Sequence, residues 1–163
     1  MRNKNLRSDL DSFDLHILQI LQMNNQMPQR TIGAKVNLSA AAVQRRIRRM
    51  QEQGIIAGNI AVINPAATGQ LITILVEVAL ESEQAELIDA AKKSFIATAE
   101  VQQCYYVTGE IDFILIINVP NMAVYEALTR RLFFGNHNVK RFTTFVTMDR
   151  VKVGLSIPII QEK

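Results

Sequence analysis

A chain of 163 residues has room for one ordinary domain or two small ones, and it is too short for a barrel enzyme of roughly 250 residues. With 48% hydrophobic and 20% charged residues it can bury a core, which excludes disorder and collagen-like repeats. The net charge of +3 is uneven: residues 1–65 carry nine Lys or Arg against four Asp or Glu, so a half at +5 precedes a half at −2, and the basic half is suited to a polyanion.

From Leu10 to Gly54 the apolar residues recur at helical spacing. Asp11 caps a first helix with Asp14 three residues on, and Phe13, Ile17, Ile20 and Leu21 form its inward stripe up to Asn24-Asn25. A short second helix follows Pro28, from Gln29 to Val36. Asn37-Leu38-Ser39 is a tight turn in which Ser39 caps a third helix, Ala40 to Gln53, closed by Gly54. Residues 55–63 then read as a β-type run with Gly58-Asn59 inside it, placed like the wing of a winged helix-turn-helix. Asn64-Pro65 breaks that run, and the domain boundary is set there, giving domains 1–65 and 66–163.

The second domain repeats one order twice. Leu71–Leu80, Ser82–Ala97 and Val101–Thr108 are strand, helix, strand; Ile111–Val119, Asn121–Phe134 and Val139–Met148 are strand, helix, strand again. Two β-α-β units in series describe a ferredoxin-like sandwich, so the whole chain is expected to be α+β. Helices on one face of a sheet leave the other uncovered, and Leu71, Leu75, Val107, Phe113, Leu115 and Phe145 are expected to make part of it apolar. Pairing two such sheets buries that surface, so at least a dimer is expected.

The third helix carries the chemistry of the first domain. Val43, Ile47 and Met50 face inward, which turns Ala41, Arg45, Arg48 and Arg49 outward with Gln44 and Arg46 on the flanks. Arginine pairs bidentately with guanine or clamps phosphate, and glutamine pairs with adenine, so these residue types suit base reading in double-stranded DNA. Small Ala40 and Ala41 beside Ser39 allow close approach to base edges. The second helix is expected to cross the DNA backbone with Arg30, Thr31 and Lys35 at phosphates; Arg2, Lys4 and Arg7 read first as a frayed, solvated terminus, with nonspecific attraction to phosphate as the alternative. A solvated basic face on a bundle helix is the alternative for the arginines.

Thr108-Gly109-Glu110-Ile111-Asp112 concentrates polar and flexible residues between apolar strands. Asp112 is placed either to hold a ligand ammonium or to cap an ordinary hairpin, and the residues alone leave both open. The single cysteine, Cys104, permits no internal disulfide, and His16 and His137 stand apart, so no metal and no cofactor are expected. No phosphate-cradling glycine loop, HExxH or nucleophile elbow is present, and no enzyme is expected. The longest apolar runs are too short to span a bilayer and the start lacks a signal-peptide segment, so no membrane partner and a cytoplasmic, nucleoid-associated location are expected.

Taken together, the motifs resemble those of the Lrp/AsnC (leucine-responsive, feast/famine) regulators. The carriers are Leu10-Asp11-Ser12-Phe13-Asp14-Leu15-His16-Ile17-Leu18, Val36-Asn37-Leu38-Ser39, Arg46-Ile47-Arg48-Arg49-Met50, Glu52-Gln53-Gly54-Ile55-Ile56, the 108–112 turn, and Leu155-Ser156-Ile157-Pro158-Ile159. The resemblance implies a DNA-binding domain joined to an amino-acid-sensing domain, and a dimer that assembles into tetramers or octamers. It also implies an effector site at Thr108, Gly109, Glu110 and Asp112, with Tyr106 beside it. The departures are Ser39-Ala40-Ala41-Ala42, without the Pro and Cys common there, and Gly135-Asn136-His137-Asn138 in place of Pro-Gly. The function so implied is a sequence-specific transcriptional regulator responsive to a small amino acid; an architectural DNA-compacting protein without an effector is the alternative.

Overall fold

The first helix starts where the sequence offers an acidic cap. In the computed structural model, which describes residues 10–159, α1 (Ser12–Met23) follows Asp11, whose carboxylate accepts the Asp14 N–H at 2.9 Å. The Asp14 carboxylate accepts the Asp11 N–H at 3.1 Å in return, completing a capping box. Arg2, Lys4 and Arg7 lie outside the described residues.

α2 (Gln29–Val36) ends at Asn37, whose φ of 56° places it in the left-handed region that asparagine tolerates. Ser39 then accepts the Ala42 N–H at 3.1 Å and opens α3 (Ala40–Glu52). Past the end of α3, Gly54 at φ 73° turns the chain so that the Ile55 and Ile56 N–H groups both reach the Met50 carbonyl. Ile17, Ile32, Val43 and Met50 are fully buried in the resulting core. Phe13, expected inward, stays 40% exposed, and the Arg46 guanidinium lies 5.5 Å from its ring centre.

The expected wing strand does not form. Residues 57–64 have no strand assignment, and Ile60, Val62 and Ile63 are exposed. A strand exists only with a hydrogen-bonded neighbour, and among the described residues none lies beside this segment. Only Ile55 and Ile56 at its start pack on the helical core. A short 3₁₀ turn, Pro65–Thr68, follows, capped by Asn64.

The sheet contains β1 (Ile72–Leu80), β2 (Val101–Tyr106), β3 (Phe113–Val119) and β4 (Val139–Val146), in the order β2-β3-β1-β4 with every neighbour antiparallel. α4 (Ala85–Ala97) and α5 (Met122–Thr129) share one core with alternate strand residues Ile74, Val76, Val78, Leu115 and Ile117, which places both helices on the same face. α5 continues into a π-helical turn, Arg130–Phe134, that brings consecutive Leu132 and Phe133 inward. Phe113 and Leu115, expected on the uncovered face, are fully buried on the helix side, and the Phe113 ring meets Phe95 edge-on at 5.2 Å between centroids. The phase of β3 is therefore the opposite of the expected one. Ile114 and Ile116 occupy the other face, as do the paired residues Leu75 and Phe145.

The chain divides into two compact units. Among the described residues the sandwich spans Val62–Val153, and the helical unit comprises 10–61 together with 154–159. Gln22 and Gln19 of α1 bond to the backbone of that last segment.

Candidate nucleic-acid interface and effector turn

The inward stripe of α3 decides which of its polar residues face water. Ala40, Ala41, Gln44, Arg45 and Arg48 are exposed, as are Ser39 at the cap and Arg30, Thr31 and Lys35 on α2. Ala41, Arg45 and Arg48 follow at i, i+4 and i+7 and share a face. Arg45 joins no ion pair among the described residues. Arg48 Nε donates to Glu52 Oε1 at 2.9 Å, but both side chains are largely exposed, and such an i,i+4 pair contributes only about 0.3–0.5 kcal/mol.

Arg46 and Arg49 are held differently. Arg46 Nη1 donates to Asp11 Oδ2 at 2.8 Å and to Asp14 Oδ1 at 2.9 Å, and Arg49 Nη2 donates to Asp14 Oδ2. Asp14 is fully buried at the start of α1. Arg46 and Arg49 stay partly exposed, so removing one costs less than the roughly 3–5 kcal/mol of a fully buried pair, though more than the exposed Arg48–Glu52 contact. The four expected arginines are therefore two on the outer face and two turned toward α1. Burial opposes ionisation of Asp11, but the Asp14 N–H and the Arg46 guanidinium outweigh it and hold the carboxyl below its ordinary value. Hydrogen bonding to Asp14, against some desolvation, raises Arg46 further above its already high value.

The turn between β2 and β3 has an exposed tip and an anchored base. Thr108, Gly109 and Glu110 are exposed, and Gly109 at φ 137° takes a backbone conformation that side chains disfavour. At the base, the Val107 N–H reaches the Asp112 carbonyl at 2.8 Å and the Asp112 N–H reaches the Val78 carbonyl at 2.9 Å. Asp112 Oδ2 accepts the Leu80 N–H at 2.7 Å, so its carboxylate also secures the end of β1. Tyr106, half exposed, packs on Phe113 with ring centres 5.1 Å apart, and Lys92 Nζ of α4 lies 4.6 Å from its centroid. Burial pushes the Cys104 thiol up, with Lys92 opposing, which leaves it a weak nucleophile.

Three contributors are absent from the expected set. Gly33, inside α2, is buried where a Cβ would overlap the Leu38 carbonyl oxygen, so it permits the close helix-turn-helix crossing. Asp14 was legible as a cap and not as an arginine ligand. Asn138, nearly buried, accepts the Ser82 N–H at 3.0 Å and donates to the Ser82 carbonyl at 3.1 Å, tying the start of β4 to the end of β1. Among the described residues no three His, Cys, Asp or Glu side chains are grouped to hold a metal, and no helix is long and apolar enough to cross a membrane.

Two family models match the chain: the AsnC-type helix-turn-helix domain over residues 10–51 and the Lrp/AsnC ligand binding domain over residues 73–157. An uncharacterized HTH-type transcriptional regulator of Sinorhizobium fredii, y4tD, is 42% identical over 151 residues, covering 93% of this chain and 89% of that protein. The leucine-responsive regulatory protein of Haemophilus influenzae is 30% identical over 143 residues, covering 88% and 86%. The crystal structure of an AsnC family transcriptional regulator from Agrobacterium tumefaciens superposes with a TM-score of 0.85 at 26% identity, covering 91% of this chain and 97% of that one. These relatives are named as regulators, not as enzymes.

Proposed function

Because the chain belongs to the Lrp/AsnC family of transcriptional regulators, with a helix-turn-helix domain followed by a ligand-binding domain, we propose that it binds DNA sequence-specifically and that a small amino acid shifts this binding or the assembly of the protein. The observation that carries the reading is the outer face of α3, where small Ala40 and Ala41 precede Gln44, Arg45 and Arg48. Small side chains admit the helix end to the major groove; Gln44 and Arg45 then meet base edges. Ser39, Arg30, Thr31, Lys35 and Arg48 contact phosphates and set the register.

The effector site in this reading is the 108–112 turn with Tyr106. Thr108 and the backbone around Gly109 receive the carboxylate or amide-like groups of an amino acid, while Glu110 and Asp112 receive its ammonium. The ligand-binding family model, which spans this turn, and the name of the leucine-responsive relative support that class of ligand. Leu75, Ile114, Ile116 and Phe145 on the uncovered sheet face support assembly through paired sheets, first into dimers and then into tetramers or octamers. An effector that fits one assembly better than another moves the population by that difference alone. A DNA-binding regulator of this kind works in the cytoplasm, on the nucleoid.

The test is retention on DNA. The double substitution R45A and R48A, in the full chain with its fold checked by circular dichroism, is expected to abolish retention of upstream-region duplex at physiological salt. Unchanged retention would overturn the assignment of α3. Comparable affinity for random duplex would favour the architectural alternative instead.

A further inference from the structure

Arg46 and Arg49 lie three residues apart on α3 and converge on one carboxylate. Asp14 is fully buried; its Oδ1 receives Arg46 Nη1 at 2.9 Å, its Oδ2 receives Arg49 Nη2 and the Asp11 N–H, and Arg46 Nη1 also reaches Asp11 Oδ2 at 2.8 Å. A guanidinium fork recognises carboxylate and phosphate by the same geometry. Two cations on the helix that faces DNA are thus already paired, within the protein, with groups that resemble the DNA backbone, although Arg49 Nε is buried without a hydrogen-bond partner among the described residues.

We propose that Asp14, assisted by Asp11, is an internal stand-in for a DNA phosphate: it withholds Arg46 and Arg49 from the duplex and so limits the sequence-independent part of binding. The proposal rests on the DNA-binding reading above and adds a positioning role that this reading does not require. A phosphate competing for either arginine has to leave the buried Asp14 carboxylate one donor short, which opposes the exchange. Arg48 is released from exposed Glu52 at little cost, so the same helix offers one arginine freely and keeps two back. The Asp14 N–H and the Arg46 guanidinium hold the Asp11 carboxyl below its ordinary value, against the opposing effect of burial, so the Asp11–Arg46 contact persists at neutral pH. The consequence is specificity: cations that grip any phosphate strengthen every site equally, and removing them from contact leaves discrimination to Gln44 and Arg45.

The experiment is a salt titration of the full chain on upstream-region and random duplexes by fluorescence anisotropy, because each phosphate neutralised adds about 0.9 to the slope of log affinity against log salt. In D14N, freeing two arginines is expected to steepen the slope on random duplex by up to about 1.8 and to narrow the preference for the upstream site. R46Q is expected not to lower the slope. A folded D14N with the parent slope and preference, or an R46Q that loses about 0.9, overturns the proposal. Should D14N fail to melt cooperatively, R49Q replaces it: Asp14 keeps Arg46, so the slope is expected to stay at the parent value, and a loss of about 0.9 overturns the proposal. A parent chain that binds neither duplex defeats the DNA-binding reading and this proposal together, whereas parent binding with insensitive slopes defeats the proposal alone.

Discussion

Gln22 and Ile157 exchange two hydrogen bonds across 135 positions of sequence: Gln22 Nε2 donates to the Ile157 carbonyl at 3.0 Å and the Ile157 N–H donates to Gln22 Oε1 at 2.7 Å. One turn earlier on α1, Gln19 Nε2 donates to the Ile159 carbonyl at 3.2 Å. The side-chain amide of Gln22 thus pairs with an extended backbone as a neighbouring strand would. Q22A is expected to release the C-terminal segment while the helical core stays folded. Amide exchange at Ile157 and limited proteolysis beyond Val153 should both accelerate, with a stability loss of at most about 1.5 kcal/mol because the bonds are exposed. Undiminished protection at Ile157 would show that other contacts hold the segment.

Gly33 gives a prediction whose sign propensity alone gets wrong. Alanine in a helix interior is favoured over glycine by about 1 kcal/mol, yet at this position its Cβ would overlap the Leu38 carbonyl oxygen in the α2–α3 turn. G33A is expected to destabilise the helical unit by about 1–3 kcal/mol and to weaken DNA binding by displacing α3. Urea unfolding followed by circular dichroism reads the first effect and DNA retention the second. A stabilised variant would mean that the turn yields freely.

At the effector turn, charge and structure can be separated. D112A would leave the Leu80 N–H without its partner, so a lost ligand response in that variant is ambiguous. D112N keeps an acceptor for Leu80 and removes only the charge. Its melting temperature is expected to stay near that of the parent while the thermal shift caused by an amino acid disappears. A retained shift would place the ammonium contact elsewhere.

Acid sensitivity follows from Asp11, whose carboxyl is held below its ordinary value in the folded chain. The sign is that of a depressed acid: its stabilisation is complete above the ordinary aspartate value and is lost as pH falls through the lowered, folded value. D11N retains a good helix cap but removes that ionisation. Melting curves at a series of acid pH values should therefore lose part of their pH dependence in D11N below the ordinary carboxylate range. An identical pH dependence in parent and variant would contradict the assignment.

Local signals carried most of the fold. Pro28 and the Asn37-Leu38-Ser39 turn bracket α2 at its observed bounds, and Leu75 and Phe145, paired across β1 and β4, lie on the uncovered sheet face as expected. What was not legible depends on partners distant in sequence. β3 is apolar on both sides, so its phase could not be read, and Phe113 and Leu115 were placed on the wrong face. Residues 55–63 have strand composition, but composition supplies no ladder partner. The same holds at the DNA-facing helix. The spacing of Arg46 and Arg49 shows charge on α3, and nothing local indicates that Asp14, 32 and 35 positions earlier, already holds it. Asn138 likewise reads as a turn residue until Ser82 is brought beside it.

A regulator of this kind binds DNA in a sequence-dependent way and responds to an amino acid. The direct measurement is anisotropy of the full chain on its own upstream region and on a shuffled duplex of equal length, at physiological salt, with each of the twenty amino acids in turn. The upstream duplex is expected to bind about 10³-fold tighter or better, and at least one amino acid to move that affinity by about 5–150-fold. Equal affinity for both duplexes, unmoved by every amino acid, would contradict the proposed function.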